Sequence, residues 1–180
     1  GQATVIDVWD QENQTMGARY WLSNAPGFEG WRESGSFASA DAVQLDVTKG
    51  FIITIRAGAG NQQVFAAGWA PEASLSQDVA SNGYSLVASA YPAKTSLYNA
   101  DIVGSGFTGG SRLSQSDLLL LHNPLTDRFD IRYWYYTPSG LWVNADNATP
   151  VTRQLEAGEA FLIFRRSRSA DFEWNEPVPY

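Results

Sequence analysis

Short apolar runs alternate with polar turns along the whole chain. Each run is rich in β-branched or aromatic residues and is bounded by Gly, Pro, Asn, Asp or Ser, the clearest runs being 3–9, 51–55, 84–92, 118–121 and 161–164. Such runs between turn residues predict strands. The only helix that the pattern indicates is a short one within 96–103. The chain is therefore predicted to be all-β.

Two aromatic hairpins stand out against this background. The first covers 18–33 and turns at Pro26 and Gly27, and the second covers 131–143 and turns at 138–140. Aromatic residues that face each other across a hairpin stabilise it by roughly 0.2–1 kcal/mol per pair. Cross-strand packing therefore accounts for much of the Tyr and Trp content.

The two hairpins belong to a longer repeat. Phe51 and Phe161 open the apolar strands that follow the hairpins, and the spacing of 110 positions between them also separates Leu45 from Leu155. This spacing predicts an internal duplication. We expect two duplicated antiparallel β units, sandwich or barrel-like, packed as one body.

The predicted units, 1–80 and 81–180, are not equal in content. The second carries a leading portion, including the strand at 84–92, ahead of its strand at 118–121. The first begins almost at the equivalent strand, 3–9. We therefore predict that the first unit lacks its leading strand.

Composition narrows the class of protein. The chain has 180 residues, of which 17% are charged, and a net charge of −7. The negative net charge argues against nucleic acid as a partner. The low fraction of charged residues means that electrostatic repulsion opposes association between copies of the chain only weakly. No apolar run approaches the roughly 20 residues of a membrane-spanning helix. The lack of cysteine excludes disulfides and thiolate sites and fits an exported bacterial protein.

Catalytic and metal-binding patterns are weak. The one histidine, His122, ends an apolar strand and has no nucleophile motif beside it, so we predict that the protein is not an enzyme. Turn carboxylates could offer oxygen ligands to calcium, namely Asp7, Asp10, Glu12, Asp127 and Asp130. Their spacing matches no EF-hand, so we expect solvated turn residues and no required cofactor.

The motifs of the second half resemble those of a family. This half resembles the uncharacterised secreted β-repeat proteins of verrucomicrobial bacteria. The motifs that carry the resemblance are an aromatic hairpin at 132–136, a G-x-W return at 140–142, an L-x-x-G-x-x-F strand at 155–165 and an F-x-W-x-x-P-x-P-Y tail at 172–180. The strand at 84–92 is similar to the family's leading strand. The resemblance implies export and an all-β repeat, and it transfers no catalytic residues. Family members are longer at the N-terminus than this chain.

The seven tryptophans admit two interpretations. Most of them recur at matched positions of both units, where packing explains them. Alternatively, exposed rings could form a platform for sugars, as in a carbohydrate-binding or adhesive cell-surface module with surface glycans as partners. Exposure of Trp31 and Trp142 would favour the sugar platform, and burial would favour packing.

We expect a secreted structural protein whose partners are copies of itself, assembled into an extracellular filament, tube or surface layer. An open sheet edge invites a strand from a neighbour, and a prolyl, aromatic tail suits such an edge. The alternative for the tail is that it folds back on its own chain. The candidate self-association residues are Val5, Ile6, Val8, Phe172, Trp174, Pro177, Pro179 and Tyr180.

Overall fold

The computed structural model describes residues 3–46, 49–58, 72–166, 168 and 170–179. These residues form thirteen strands, one four-residue α-helix and one 3₁₀ helix, Leu113–Gln115. The strand pairs of every sheet are antiparallel. The prediction of an all-β protein is confirmed. Within the described residues, no helix has the length and apolar character needed to cross a membrane.

The chain divides into two compact units, Gly1–Trp69 and Ala70–Tyr180. The boundary precedes the predicted one at residue 80, because the strand Leu75–Val79 pairs with Phe172–Glu176 near the end of the chain. That pairing assigns 75–79 to the second unit. Its polar sequence, Leu-Ser-Gln-Asp-Val, gave no local sign of the assignment.

Unit 1 contains one four-stranded sheet in its described part. Its strands are β1 (Val5–Asp10), β2 (Thr15–Ser23), β3 (Gly30–Glu33) and β4 (Phe51–Thr54), in the spatial order β3-β2-β1-β4. Because side chains alternate between the two faces of a strand, the register places a largely apolar set on one face of the sheet. This face, called the Ile6 face below, carries Ile6, Tyr20, Leu22, Trp31 and Ile53.

Unit 2 is built around a five-stranded sheet in the order β10-β9-β8-β12-β6, with two small two-stranded sheets, β11-β7 and β13-β5. Its helix, α1, covers Ile102–Ser105. Its strands are β5 (Leu75–Val79), β6 (Gly83–Ala88), β7 (Thr95–Ser96), β8 (Leu118–Asn123), β9 (Arg128–Tyr136), β10 (Leu141–Asn144), β11 (Gln154–Leu155), β12 (Ala160–Arg165) and β13 (Phe172–Glu176).

One face of the five-stranded sheet forms the core of unit 2. This face, called the Leu119 face below, carries Leu119, Trp142, Phe161 and Ile163, all at most 1% exposed. Residues from the connecting segments and the tail cover it, namely Leu97, Ala100, Ile102, Phe107, Leu155 and Trp174. Burial of these apolar side chains is the main source of stability in this unit.

The two sheets share strand order and register. Tyr20 lies opposite Ile6 in unit 1, and Tyr133 lies opposite Leu119 in unit 2. The hairpin returns correspond in the same way, since Trp31 faces Leu22 and Trp142 faces Tyr135. Left-handed backbone conformations recur at two matched pairs of turn positions, which are Gln14 with Asp127 and Phe37 with Ala148. A common origin of the two units remains a prediction.

The predicted helix at 96–103 differs from the observed structure. This stretch begins in β7, and the four-residue helix α1 starts only at Ile102. Asp101, immediately before it, has the left-handed φ of 50°, which interrupts regular backbone. Gly104 and Gly106 lie within and just after α1, where glycine disfavours a longer helix.

Candidate functional site

The N-terminal strand does not offer the free edge that the sequence led us to expect. β1 is an inner strand, and the backbones of Val5 and Ile6 are paired with β2 on one side and β4 on the other. Val8 pairs with Phe51 and lies at a bulge opposite β2. These three residues therefore cannot accept an added strand through their backbone, although the Ile6 side chain faces outward on the Ile6 face.

The C-terminal tail folds back on its own unit, which is the alternative that the sequence left open. Phe172 and Trp174 belong to β13, which pairs with β5. Trp174 is fully buried, and its indole Nε1 donates to the carbonyl of Ala100 at 2.7 Å. Pro177 and Pro179 are half-buried, and Tyr180 lies outside the described residues. The tail is thus part of the core of unit 2 and not a free arm for a neighbouring subunit.

Among the described residues, the outer strand β4 has the unpaired edge instead. Along a strand of an antiparallel sheet, the backbone N–H and C=O groups of successive residues point alternately toward the neighbouring strand on one side and toward the neighbouring strand on the other. The amide of Trp9 donates to the carbonyl of Gly50 at 3.0 Å, so Gly50, Ile52 and Thr54 face β1. The N–H and C=O groups of Phe51 and Ile53 consequently face away from β1, and no described strand pairs with them.

In unit 2, the strand equivalent to β4 is β12, and its outer edge is paired with another strand. β12 pairs with β8 as β4 pairs with β1, and its other edge is covered by β6. The amide of Ser89 donates to the carbonyl of Glu159 at 3.1 Å, which places Phe161 and Ile163 in the pairs that bond to β6. Phe51 and Ile53 occupy the corresponding places in unit 1, where the described residues include no counterpart of β6.

The opposite end of the unit 1 sheet is protected by its own loop. Arg32 of β3 bridges to Ser39, and the amide of Ala40 donates to the carbonyl of Trp31 at 2.8 Å. Asp41 holds this loop, because one carboxylate oxygen accepts from the amide of Trp31 at 2.7 Å and the other from the Ser39 hydroxyl at 3.0 Å. The hydrogen bond from Trp31 is the main cause that lowers the pKa of Asp41. The unpaired edge of the described sheet therefore lies at β4 and not at β3.

The Ile6 face beside this edge is only partly covered. Its side chains are half-buried or exposed, whereas three of the five matching residues of unit 2, Leu119, Trp142 and Ile163, are at most 1% exposed and the other two, Tyr133 and Tyr135, are half-buried. A cavity of about 210 Å³ opens over β1, β2 and β3, where it is lined by Ile6, Tyr20 and Trp31 and by the loop residues Ala40, Asp41, Val43 and Leu45. In unit 2, the matching space beside Trp142 is filled by Phe107, with ring centroids 5.0 Å apart. Edge and face together form the candidate site, called the β4 site below.

Burial prevents three of the seven tryptophans from forming a sugar platform. Trp134, Trp142 and Trp174 are at most 6% exposed. Trp9, Trp21 and Trp31 are half-buried, and Trp69 lies outside the described residues. Burial therefore limits any stacking surface made of tryptophans in the described residues to unit 1.

The remaining polar candidates form local contacts, and Asp7, which we expected to be a solvated turn residue, is instead buried within β1. The His122 ring lies 3.1 Å from Asp127 at a strand end, with 45% of the histidine side chain exposed. Asp10 accepts two hydrogen bonds from Asn13, Asp7 pairs with Arg19, and Asp130 accepts from Thr126. In the part of the chain that the structure describes, no three His, Asp or Glu side chains converge as a metal site would require.

Comparison with known proteins yields no relative. No protein family, curated protein or solved structure matches this chain. The function must therefore be argued from the β4 site itself.

Proposed function

We propose that this chain is a non-enzymatic, secreted structural protein that associates with copies of itself by strand addition at the β4 site. The observation that carries the proposal is the outward-facing backbone of Phe51 and Ile53, beside an apolar face that lacks a described cover. Unpaired N–H and C=O groups in a row act as a template for another strand.

The composition of β4 supports this proposal. Proteins that keep an edge strand free protect it with charge, proline or a bulge. β4 reads Phe-Ile-Ile-Thr, has neither charge nor proline, and pairs with β1 in continuous register. Lys49 and Arg56 flank the strand and lie outside it. Nothing in β4 itself therefore opposes pairing with an added strand.

The structural role is also supported by the kind of assembly that an edge produces. When one surface of a molecule binds a different surface of the next molecule, the contact repeats without closing unless the rotation forms a ring. Filaments, tubes or layers are the products that we propose. Export remains part of the proposal and is supported by the complete absence of cysteine.

The first test is negative-stain electron microscopy of the purified full chain over a range of concentrations, combined with light scattering. We expect ordered polymers for the wild-type chain and their loss in Ile53→Pro, which removes an outward N–H without removing a bond to β1. Thr54→Ala is the matched control, because Thr54 is exposed and its backbone faces β1. Dispersed wild-type particles of monomer size at every concentration would contradict the proposal and would favour the glycan-binding alternative.

A further inference from the structure

We propose that unit 2 binds a neutral saccharide on the outward face of the small β7-β11 sheet, against the exposed ring of Tyr98. This inference goes beyond the proposed function and does not depend on strand addition. The site, called the Tyr98 site below, is a cavity of about 480 Å³, and roughly 300–1,000 Å³ is typical of small-molecule sites. It is lined by Ser96, Tyr98, Thr152, Arg153, Gln154 and Glu156.

The backbone of the Tyr98 site is fixed by strand pairing. Ser96 lies opposite Gln154 in the β7-β11 pair, and the amide of Leu97 donates to the carbonyl of Arg153 at 3.1 Å. Leu97 and Leu155 belong to the core of unit 2 and are at most 1% exposed. Because side chains alternate along a strand, Ser96 and Gln154 point outward. The polar side chains of the site therefore stand on a rigid support.

The Tyr98 ring is exposed and is also held in place. The residue is 43% exposed, and its hydroxyl oxygen accepts a hydrogen bond from the amide of Trp142 at 3.2 Å. Trp142 is buried in the core, so this bond anchors the end of the ring to β10. A ring that is already oriented loses little conformational entropy when a ligand binds. The C–H groups on the face of a pyranose ring are apolar and can pack on such a ring.

The neutral polar side chains beside the ring match a ligand that carries hydroxyl groups. Ser96, Thr152 and Gln154 can each donate and accept hydrogen bonds, as sugar hydroxyls can. The Ser96 hydroxyl accepts from the amide of Asn99 at 3.1 Å and can still donate. Thr152 and Gln154 are exposed, so a ligand hydroxyl can replace their bound water.

The charged side chains of the site are paired, which favours a neutral ligand. The Lys94 ammonium lies 2.8 Å from the Glu156 carboxylate, and the Arg153 guanidinium lies 2.6 Å from the Glu159 carboxylate. Because each pair has no net charge, neither an anion nor a cation is attracted strongly to the site. A neutral saccharide is the class of ligand that fits the ring, the hydroxyl-matching groups and the charge together.

The direct test is equilibrium dialysis of the full chain against labelled neutral tetrasaccharides of glucose, mannose and N-acetylglucosamine, which works for monomers and polymers alike. We expect saturable binding of at least one of them that changes little with salt. Tyr98→Ala should weaken binding about tenfold, because it removes the apolar surface of the ring. Tyr84→Ala is the matched control and should bind as wild type does, because Tyr84 is 41% exposed but lies in β6, outside the site.

Two further measurements keep the test decisive if Tyr98→Ala fails to fold. Gln154→Ala changes an exposed side chain and should weaken binding about fivefold, which corresponds to the loss of one hydrogen bond. In the wild-type chain, the bound saccharide should protect Tyr98 from nitration by tetranitromethane and leave the nitration of Tyr84 unchanged. Mass spectrometry of the nitrated peptides measures both tyrosines in one sample.

The outcomes separate this inference from the proposed function. The inference would be overturned by the absence of saturable binding, by full binding in a folded Tyr98→Ala variant, or by nitration of Tyr98 that the saccharide does not reduce. Stronger binding of an oligogalacturonate or of a chitosan oligomer would also overturn it, because these ligands are charged. Saccharide binding by a chain that never polymerises would contradict only the proposed function, and polymers without saccharide binding would contradict only this inference.

Discussion

Asp117 and Arg165 form a buried ion pair, with 3.4 Å between the carboxylate Oδ2 and the guanidinium Nε. Asp117 is fully buried, and a second arginine, Arg168, reaches its other oxygen at 2.9 Å. The amides of Thr108 and Arg166 also donate to this carboxylate, at 2.9 and 3.4 Å. A single carboxylate thus connects the segment before β8 to the segment that follows β12.

We predict that Asp117→Asn destabilises unit 2 by about 3–5 kcal/mol, because it leaves the Arg165 charge buried without its partner. The matched position in unit 1 is Thr4, whose hydroxyl oxygen accepts from the amide of Arg56 at 3.3 Å. Thr4→Ala removes a neutral hydrogen bond and should cost only about 1 kcal/mol. Urea unfolding followed by circular dichroism measures both costs, and similar values for the two variants would contradict the prediction.

The matched tryptophans of the two hairpins should differ in their contribution to stability. Trp142 is 1% exposed and packs against Phe107 and Tyr135, so Trp142→Ala should cost about 3–5 kcal/mol. Trp31 is half-buried, so Trp31→Ala should cost the monomer about 2 kcal/mol or less.

Thermal unfolding at a concentration that keeps the chain monomeric compares the two tryptophan variants. Under assembly conditions, Trp31→Ala should also weaken polymer formation, because Trp31 lines the β4 site. An equal loss of stability for both variants in the monomer would show that the Ile6 face is already covered.

Glu176 predicts a pH dependence of stability. Its side chain is 1% exposed, and its carboxyl accepts from the Ser89 hydroxyl at 2.5 Å and from the Ala90 amide at 2.9 Å. Burial raises its pKa above the ordinary value of 4.5, although these hydrogen bonds act in the opposite direction. The stabilisation by this group is therefore complete below about pH 4.5 and is lost as the pH rises through the raised pKa.

The variant Glu176→Gln tests this dependence, because glutamine keeps an acceptor oxygen and cannot ionise. We expect its free energy of unfolding relative to wild type to increase as the pH rises above about 4.5 and then to level off. The exposed carboxylates are common to both proteins, so their titration cancels in the difference. A difference that stays constant from pH 4 to pH 8 would show that burial does not control this carboxyl group.

His122→Ala should change neither stability nor any activity of the chain. The histidine is 45% exposed and its partner Asp127 is 97% exposed, and pairs at such positions contribute at most about 1 kcal/mol. The measurement is thermal unfolding, together with a screen of wild type against ester, peptide and glycoside substrates. A hydrolase activity that His122→Ala removes would refute the non-enzymatic assignment.

Local pattern predicted much of this fold, and pairing between distant segments accounts for what it missed. The hairpins and the strands at 51–55 and 161–164 are predicted from the local pattern of apolar and turn residues. These two strands appear in the structure as β4 and β12, with small changes in length. β5 was missed, because its polar sequence becomes a strand only by pairing with β13 near the end of the chain. The stretch 63–71, which the repeat matches to the tail at 171–180, lies outside the described residues.

The candidate site was predicted only in outline. The sequence indicated that unit 1 lacks a leading strand, but it directed attention to Val5, Ile6 and Val8. Nothing local shows that β1 is an inner strand, since strand order is decided by pairing across the sheet. The missing signal was the comparison between the two units: β6, which corresponds to the predicted strand at 84–92, pairs with β12, and the described residues of unit 1 include no such strand beside β4.

In the described residues, β6 covers the outer edge of β12 and no strand covers the outer edge of β4, so these two matched strands differ. A polymer built through β4 would consequently have a direction, with one end that always presents an empty acceptor and another end that does not. The two ends would grow at different rates, and a soluble strand that fits the acceptor would stop growth at one of them. Polymer length would then depend on the concentration of such a terminator and on the order in which subunits arrive.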